Sequence, residues 1–168
     1  MIIGAIGIVL SIGVFVGFVF YKRMLQQKYI VITDDGQNTT SQLLHMLDPI
    51  NCVLSDEKLN VYFPPPSSPT MRKFVLAQEA NYEFKNLSAS DLQEKGIEGI
   101  TLREYLIYHK RWFDQFKTHL DIKSVTLCTG SPLPNKFVLG ADFNGTYIDI
   151  HEYSPFEACS YLCVRKVV

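Results

Sequence analysis

The sequence predicts an α+β protein in two parts. Residues 2–21 form one amino-terminal transmembrane helix, and residues 22–168 form one compact domain with a mostly antiparallel sheet and two or three packing helices. Three observations lead there. Ile2 to Tyr21 carries no charged residue, and Lys22-Arg23 follows at once. Beyond it, β-rich runs are interspersed with segments opened by capping signals. Near the end, Asn144-Gly145 sits between two strand-like runs, the strongest short hairpin signal a sequence carries.

The apolar segment matches a bilayer in length. About 20 helical residues rise about 30 Å, the thickness of the hydrocarbon layer. It does not read as a cleaved leader. No Lys or Arg precedes it, and it ends in Phe18, Val19, Phe20 and Tyr21 where a cleavage site needs small residues. Gly13 and Gly17 make a small-xxx-small pair, and Gly4, Gly7 and Ser11 line another face. Small residues let membrane helices approach closely, so these positions are expected to pack against neighbouring anchors.

The rest of the chain suits a single core. The net charge of −1 gives no long-range field for nucleic acid. Two signals for the domain's side of the membrane oppose each other. The basic collar Lys22, Arg23 and Lys28 points to the cytoplasmic side. Four cysteines and three glycosylation triplets, at Asn38, Asn86 and Asn144, point to an extracytosolic or virion-exterior domain, which is the expectation adopted.

The elements follow in order. Tyr29–Thr33 reads as a strand closed by Asp34-Asp35-Gly36. Thr39 and Gln42 spell a capping box for a helix through Leu47. Ile50–Leu54 and Leu59–Phe63 read as a hairpin, and Pro64–Pro69 as a stiff connector. Pro69 suits the first turn of a helix over Thr70–Ala80, and Tyr82–Leu87 alternates like a strand. Ser88 with Asp91 opens a short helix that Gly96 ends. Thr101 with Glu104 opens the longest one, whose stripe is Leu102, Tyr105, Leu106, His109, Trp112, Phe113, Phe116 and Leu120. Ile122–Thr129, Phe137–Phe143 and Thr146–Tyr153 are strands, and Ser154, Pro155 and Glu157 suggest a helix in the tail.

Chemistry-bearing motifs are scarce. Cys159 and Cys163 have three residues between them, where a redox pair wants two. In a helix the two thiols lie one turn apart, and in a strand about 13 Å apart, so neither geometry bridges them easily. Long-range partners are therefore expected: two disulfides joining Cys159 and Cys163 to Cys52 and Cys128, each contributing about 2–4 kcal/mol. Four reduced thiols are the alternative in a reducing compartment. His45, His109, His119 and His151 show no metal-ligand spacing, and His109 falls on the apolar stripe as a core residue. Asp142 and Asp149 flank the hairpin, and Asp34-Asp35 share a turn; such aspartates usually form turns. Ser131 lacks the second glycine of a nucleophile elbow, and no phosphate-cradling loop is present. No cofactor is implied. Eleven Phe, nine Tyr and one Trp exceed what a small core needs, which favours a recognition surface.

The layout resembles the baculovirus per os infectivity factors, in particular the occlusion-derived-virus envelope proteins of the 19 kDa class. The resemblance rests on the charge-free anchor before Lys22-Arg23 and one cysteine-containing domain of this length. It also rests on two stretches: Asn51-Cys52-Val53 running into Asp56-Glu57-Lys58 and Tyr62-Phe63-Pro64, and Phe84-Lys85-Asn86-Leu87-Ser88 running into Leu102-Arg103-Glu104-Tyr105-Leu106. It implies a non-enzymatic, single-pass subunit of a multiprotein complex through which virions enter insect midgut cells during oral infection. Implied partners are other membrane-anchored envelope subunits, the lipid bilayer and a midgut receptor. The implied location is the virion envelope, reached through the host inner nuclear membrane. Two readings compete with it: a membrane-tethered thiol-disulfide oxidoreductase using Cys159 and Cys163, and a cellular or bacterial membrane subunit of a secretion or assembly machine.

Overall fold

A computed structural model describes residues 29–47 and 49–168. The expected anchor, with Gly4, Gly7, Ser11, Gly13 and Gly17, lies outside the described residues, as does the collar Lys22, Arg23 and Lys28. Among the described residues no helix is long and apolar enough to cross a membrane.

The domain is α+β, with a mixed sheet. Strand β1 (Tyr29–Asp34) pairs antiparallel with β3 (Thr70–Val75) as a two-stranded ribbon. The larger sheet has the order β2-β6-β5-β4-β7, built from Ile50–Cys52, Ile148–Tyr153, Val138–Phe143, Val125–Leu127 and Leu162–Cys163. Its two inner pairings are antiparallel, and both edge strands, β2 and β7, join parallel. Four α-helices are described: α1 (Thr40–His45), α2 (Asp56–Tyr62), α3 (Ala89–Glu94) and α4 (Leu102–Phe116).

Helix starts follow the local sequence. Thr39, Ser88 and Thr101 each accept a hydrogen bond from the third backbone N–H of their helix, and Gln42, Asp91 and Glu104 answer with the reciprocal bond. Helix α4 stops at Phe116 because Lys117 turns left-handed, with φ of 55°. Leu120 is buried beyond the helix rather than on it.

Several elements differ from the sequence expectation. Leu59–Tyr62 belongs to a helix that Phe63 caps, not to a hairpin strand. Ser55 caps α2, Asp56 and Glu57 sit favourably at its positive end, and Leu59 and Phe63, one turn apart, enter the core. Thr70–Val75 is a strand rather than a helix, because β1 offers a full antiparallel partner and Phe74 fills the core opposite Ile30. Tyr82–Phe84 is a single 3-10 turn, not a strand. The tail makes only a turn near Pro155 before β7, whose partner is β4.

The main core lies between the inner face of the large sheet, α4 and the ribbon. It joins Ile32 and Phe74 to Tyr105, Leu106 and Tyr108 and to Leu139, Ala141, Ile148 and Ile150. Leu102 to Leu106 are buried without interruption, so α4 is covered on more than one face. Sheet and ribbon enclose it together, which the single-stripe pattern did not anticipate. A smaller cluster of Ala89, Val125, Leu127, Val138 and Leu162, with Tyr153 and Cys159, covers part of the sheet's outer face.

Candidate functional site

The rest of that outer face is open and polar. Register sets it. Phe143 pairs with Ile148, so the β5–β6 connection is Asn144 to Tyr147, four residues long. The Asn144 side-chain oxygen accepts from the N–H groups of Thr146 and Tyr147, and Asn144 N–H donates to the Tyr147 carbonyl. Two steps down the ladder, Asp142 stands directly opposite Asp149. These two are a cross-strand carboxylate pair, not the turn formers expected. Asn51 on β2 aligns with Asp149 and donates to it at 2.8 Å, and His151 Nε2 lies 2.7 Å from the other Asp149 oxygen. Glycine at 140 leaves room for the Tyr153 ring, with which a Cβ there would collide.

The result is an open depression of about 370 Å³, lined by Asp142, Asp149, His151, Tyr153, Tyr161, Lys123 and Ser124 among others. Burial, reinforced by the Asp149 charge, pushes the Asp142 carboxyl up to about 6. Burial, then the Asp142 charge, raises the Tyr153 phenol. Two carboxylates beside aromatic rings suit a cationic side chain of a partner, which would relieve their mutual repulsion. Sequence reasoning missed this constellation. Period-two alternation was the available signal, but it needed the four-residue connection. A two-residue Asn144-Gly145 turn would have set Asp142 opposite Tyr147.

The raised Asp142 value has a stability consequence. The native carboxyl titrates near 6 and the unfolded one near 4. Between those values the native state holds more protons, so this group's contribution falls as pH rises from about 4 to about 6 and is level above. With screening at this half-exposed site, Asp142→Asn should gain about 1 kcal/mol at pH 7 and nothing at pH 3.5. Urea unfolding of both proteins across that range checks it.

A second depression, of about 510 Å³, lies between α3, the loop around Pro132 and Phe156. Phe156 is 78% exposed on its rim.

The thiols are placed differently from expectation. Cys52, Cys128, Cys159 and Cys163 are all free. The expected bridges to Cys52 and Cys128 are not formed, and topology explains two of the possible pairs. Cys52, Ile150, Ala141, Thr126 and Cys163 form one row across the sheet, so Cys52 and Cys163 occupy opposite edges, about 19 Å apart. Cys128 lies diagonally to Cys163 at about 8 Å, beyond bridging distance. Cys163 shares the row of Ala141 on the inner face, whereas Cys159 packs with the outer cluster. Burial raises the thiols of Cys52, Cys128 and Cys163, and a protonated thiol is a poor nucleophile.

The remaining sequence candidates are engaged in structure. Ser131 accepts a hydrogen bond from Leu102 N–H at the start of α4. His109 is fully buried between the Tyr105 hydroxyl and His119, and burial lowers its imidazole to about 3. His119 stacks on Phe143 with ring centres 3.8 Å apart. The fold thus unites two histidines whose ten-residue spacing suggested no relation. Among the described residues no group of three or more His, Cys, Asp or Glu is arranged to hold a metal ion. Asn144 and Thr146 are exposed at the hairpin tip, and Asn86 is exposed with φ of 62°. Asn38 is half-buried, and its partner Thr40 is fully buried, bonded to Arg103 and the Phe63 carbonyl.

Compared with protein-family models, curated proteins and solved structures, the chain matches none.

Proposed function

We propose that this protein is a non-enzymatic, single-pass envelope subunit that docks other membrane-anchored subunits in a complex through which virions enter insect midgut cells. The observation that carries the reading is the charge-free run Ile2–Tyr21 ending at Lys22-Arg23, ahead of one folded domain. The resemblance to per os infectivity factor 4 supplies the biological setting. Its implied locations are the virion envelope and, during assembly, the host inner nuclear membrane. The domain's chemistry is consistent with docking. The raised thiols of Cys52, Cys128 and Cys163 are poor nucleophiles, Ser131 bonds the start of α4, His109 is buried in the core, and the open polar face carries paired carboxylates and tyrosines.

Tethering supplies the mechanism. Subunits sharing one membrane meet at high effective concentration, so modest contacts between domains suffice for stable assembly. The anchor glycines would let neighbouring helices approach, and the Asp142–Asp149 face would receive a cationic group.

Recovery of neighbours from membranes in mild detergent tests this. Gly13→Leu combined with Gly17→Leu should reduce recovery several-fold, and so should Asp149→Lys. Equal recovery with all three residues replaced would remove the docking reading. Full-length chain in the soluble fraction without detergent would remove the anchor.

A further inference from the structure

We infer that the outer face of the β1–β3 ribbon rests against the lipid headgroup layer of the membrane that holds the amino-terminal segment. The inference depends on the anchor reading and adds the domain's orientation to it.

The first argument is reach. Strand β1 begins at Tyr29, and residues 22–28 separate it from the end of the apolar run. Seven residues span at most about 25 Å even when fully extended. The Tyr29 end of the ribbon is therefore held within about 25 Å of the bilayer.

The second argument is the chemistry of the face itself. Alternation turns Ile30, Ile32 and Phe74 into the core and Tyr29, Val31, Thr33, Met71, Lys73 and Val75 outward. A water-facing ribbon would carry polar residues at most of those outward positions. Here only Thr33 and Lys73 are polar besides the Tyr29 hydroxyl, and Met71 is 70% exposed and Val31 43% exposed. Lys73 lies over the Tyr29 ring, 4.2 Å from its centre, and Arg111 donates to the Val31 carbonyl at the ribbon's edge. No outward residue of either strand is acidic, and Asp34 turns inward to Arg103.

Apolar side chains to enter the headgroup region, a tyrosine at its level and flanking cations for lipid phosphates are the composition of an interfacial surface. Net charge does not oppose this, because the contact is local and the tether supplies the encounter. Exposed Tyr82 also carries a lysine, Lys85, over its ring, but Glu83 lies beside it and the ribbon's exposed aliphatic pair is missing there. Val61 belongs to a helix begun by Asp56 and Glu57, and Phe156 precedes Glu157.

The test uses the full chain reconstituted in phosphatidylcholine vesicles with about a third phosphatidylserine. An environment-sensitive fluorescent amino acid is placed at position 71, or at position 156 as the control. Expected at 71 are several-fold weaker quenching by iodide and several-fold stronger quenching by headgroup spin labels than at 156. Lys73→Glu should bring position 71 toward the control while the chain stays resistant to carbonate extraction. A label at 71 as open to iodide as at 156, in carbonate-resistant protein, overturns the inference and leaves the anchor standing. Shielding from iodide without headgroup quenching assigns the face to a protein partner and also overturns it. Release of the chain by carbonate overturns the anchor and this inference together.

Discussion

Asp121→Asn should destabilise the domain by about 3–5 kcal/mol, the usual consequence of leaving one member of a buried ion pair alone. Asp121 is fully buried 2.8 Å from Arg165, and the two side chains are 0% and 3% exposed. One carboxylate oxygen also receives Ala80 N–H and the Ser124 hydroxyl, and the other receives Thr126. Arg165 donates to the carbonyls of Ala77 and Gln78 and lies 5.0 Å from the centre of the Tyr108 ring. The pair thus ties the carboxy-terminal tail, the segment after β3 and the approach to β4 into one knot.

Asparagine is the informative replacement. Asp121 has φ of 53°, a left-handed conformation that asparagine tolerates, so the loss measures charge rather than backbone strain. Arg165→Met should cost a similar amount by stranding the carboxylate. The double variant should lose less than the sum of the singles, because no uncompensated charge remains. Unfolding followed through the single tryptophan, Trp112, reads all three, since that residue is 9% exposed in the native core. Losses below about 1 kcal/mol in both single variants would show that the pair holds nothing together.

Arg103→Met should cost about 3–5 kcal/mol by the same reasoning, with a different spatial signature. Arg103 donates to both oxygens of Asp34 at 2.6 and 2.8 Å, to the Thr40 hydroxyl and to the Asn38 carbonyl. It occupies the second position of α4, where the helix dipole disfavours a cation. Asp34 offsets that cost, and the bidentate geometry requires a guanidinium. Arg103→Lys should therefore recover only part of the loss. The contact fixes the end of β1 and the start of α1 against α4. Hydrogen exchange should accordingly show residues 34–47 losing protection in the variant while β4, β5 and β6 keep theirs. Uniform loss across both regions would contradict that local role.

Much of the local structure was legible. The capping boxes at Thr39, Ser88 and Thr101 are formed because they satisfy backbone groups within a few residues. The hairpin at Asn144 formed where expected, but its register did not follow, because the Asn144 side chain bonds two later N–H groups and lengthens the turn. Thr70–Val75 could not be assigned locally. Pro69 favours a helix start, and only β1, some forty residues earlier, supplies the ladder that makes it a strand. Arg103 carried a faint signal as a cation in a helix's first turn. Asp142 and Asp149 carried almost none, because their meeting depends on two residues of turn length.

The linear order of residues determined the helix caps, the apolar run from Ile2 to Tyr21, the long amphipathic helix and the place of the last hairpin. Each depends on groups that are close along the chain, so local hydrogen bonding and periodicity suffice. Tertiary structure alone decided that β2 and β7 join the sheet parallel, that Cys52 and Cys163 fall on opposite edges of it, and that Arg165 finds Asp121. Those outcomes depend on which distant segments exclude water together, and a buried charge is stable only where the whole fold brings its partner to it.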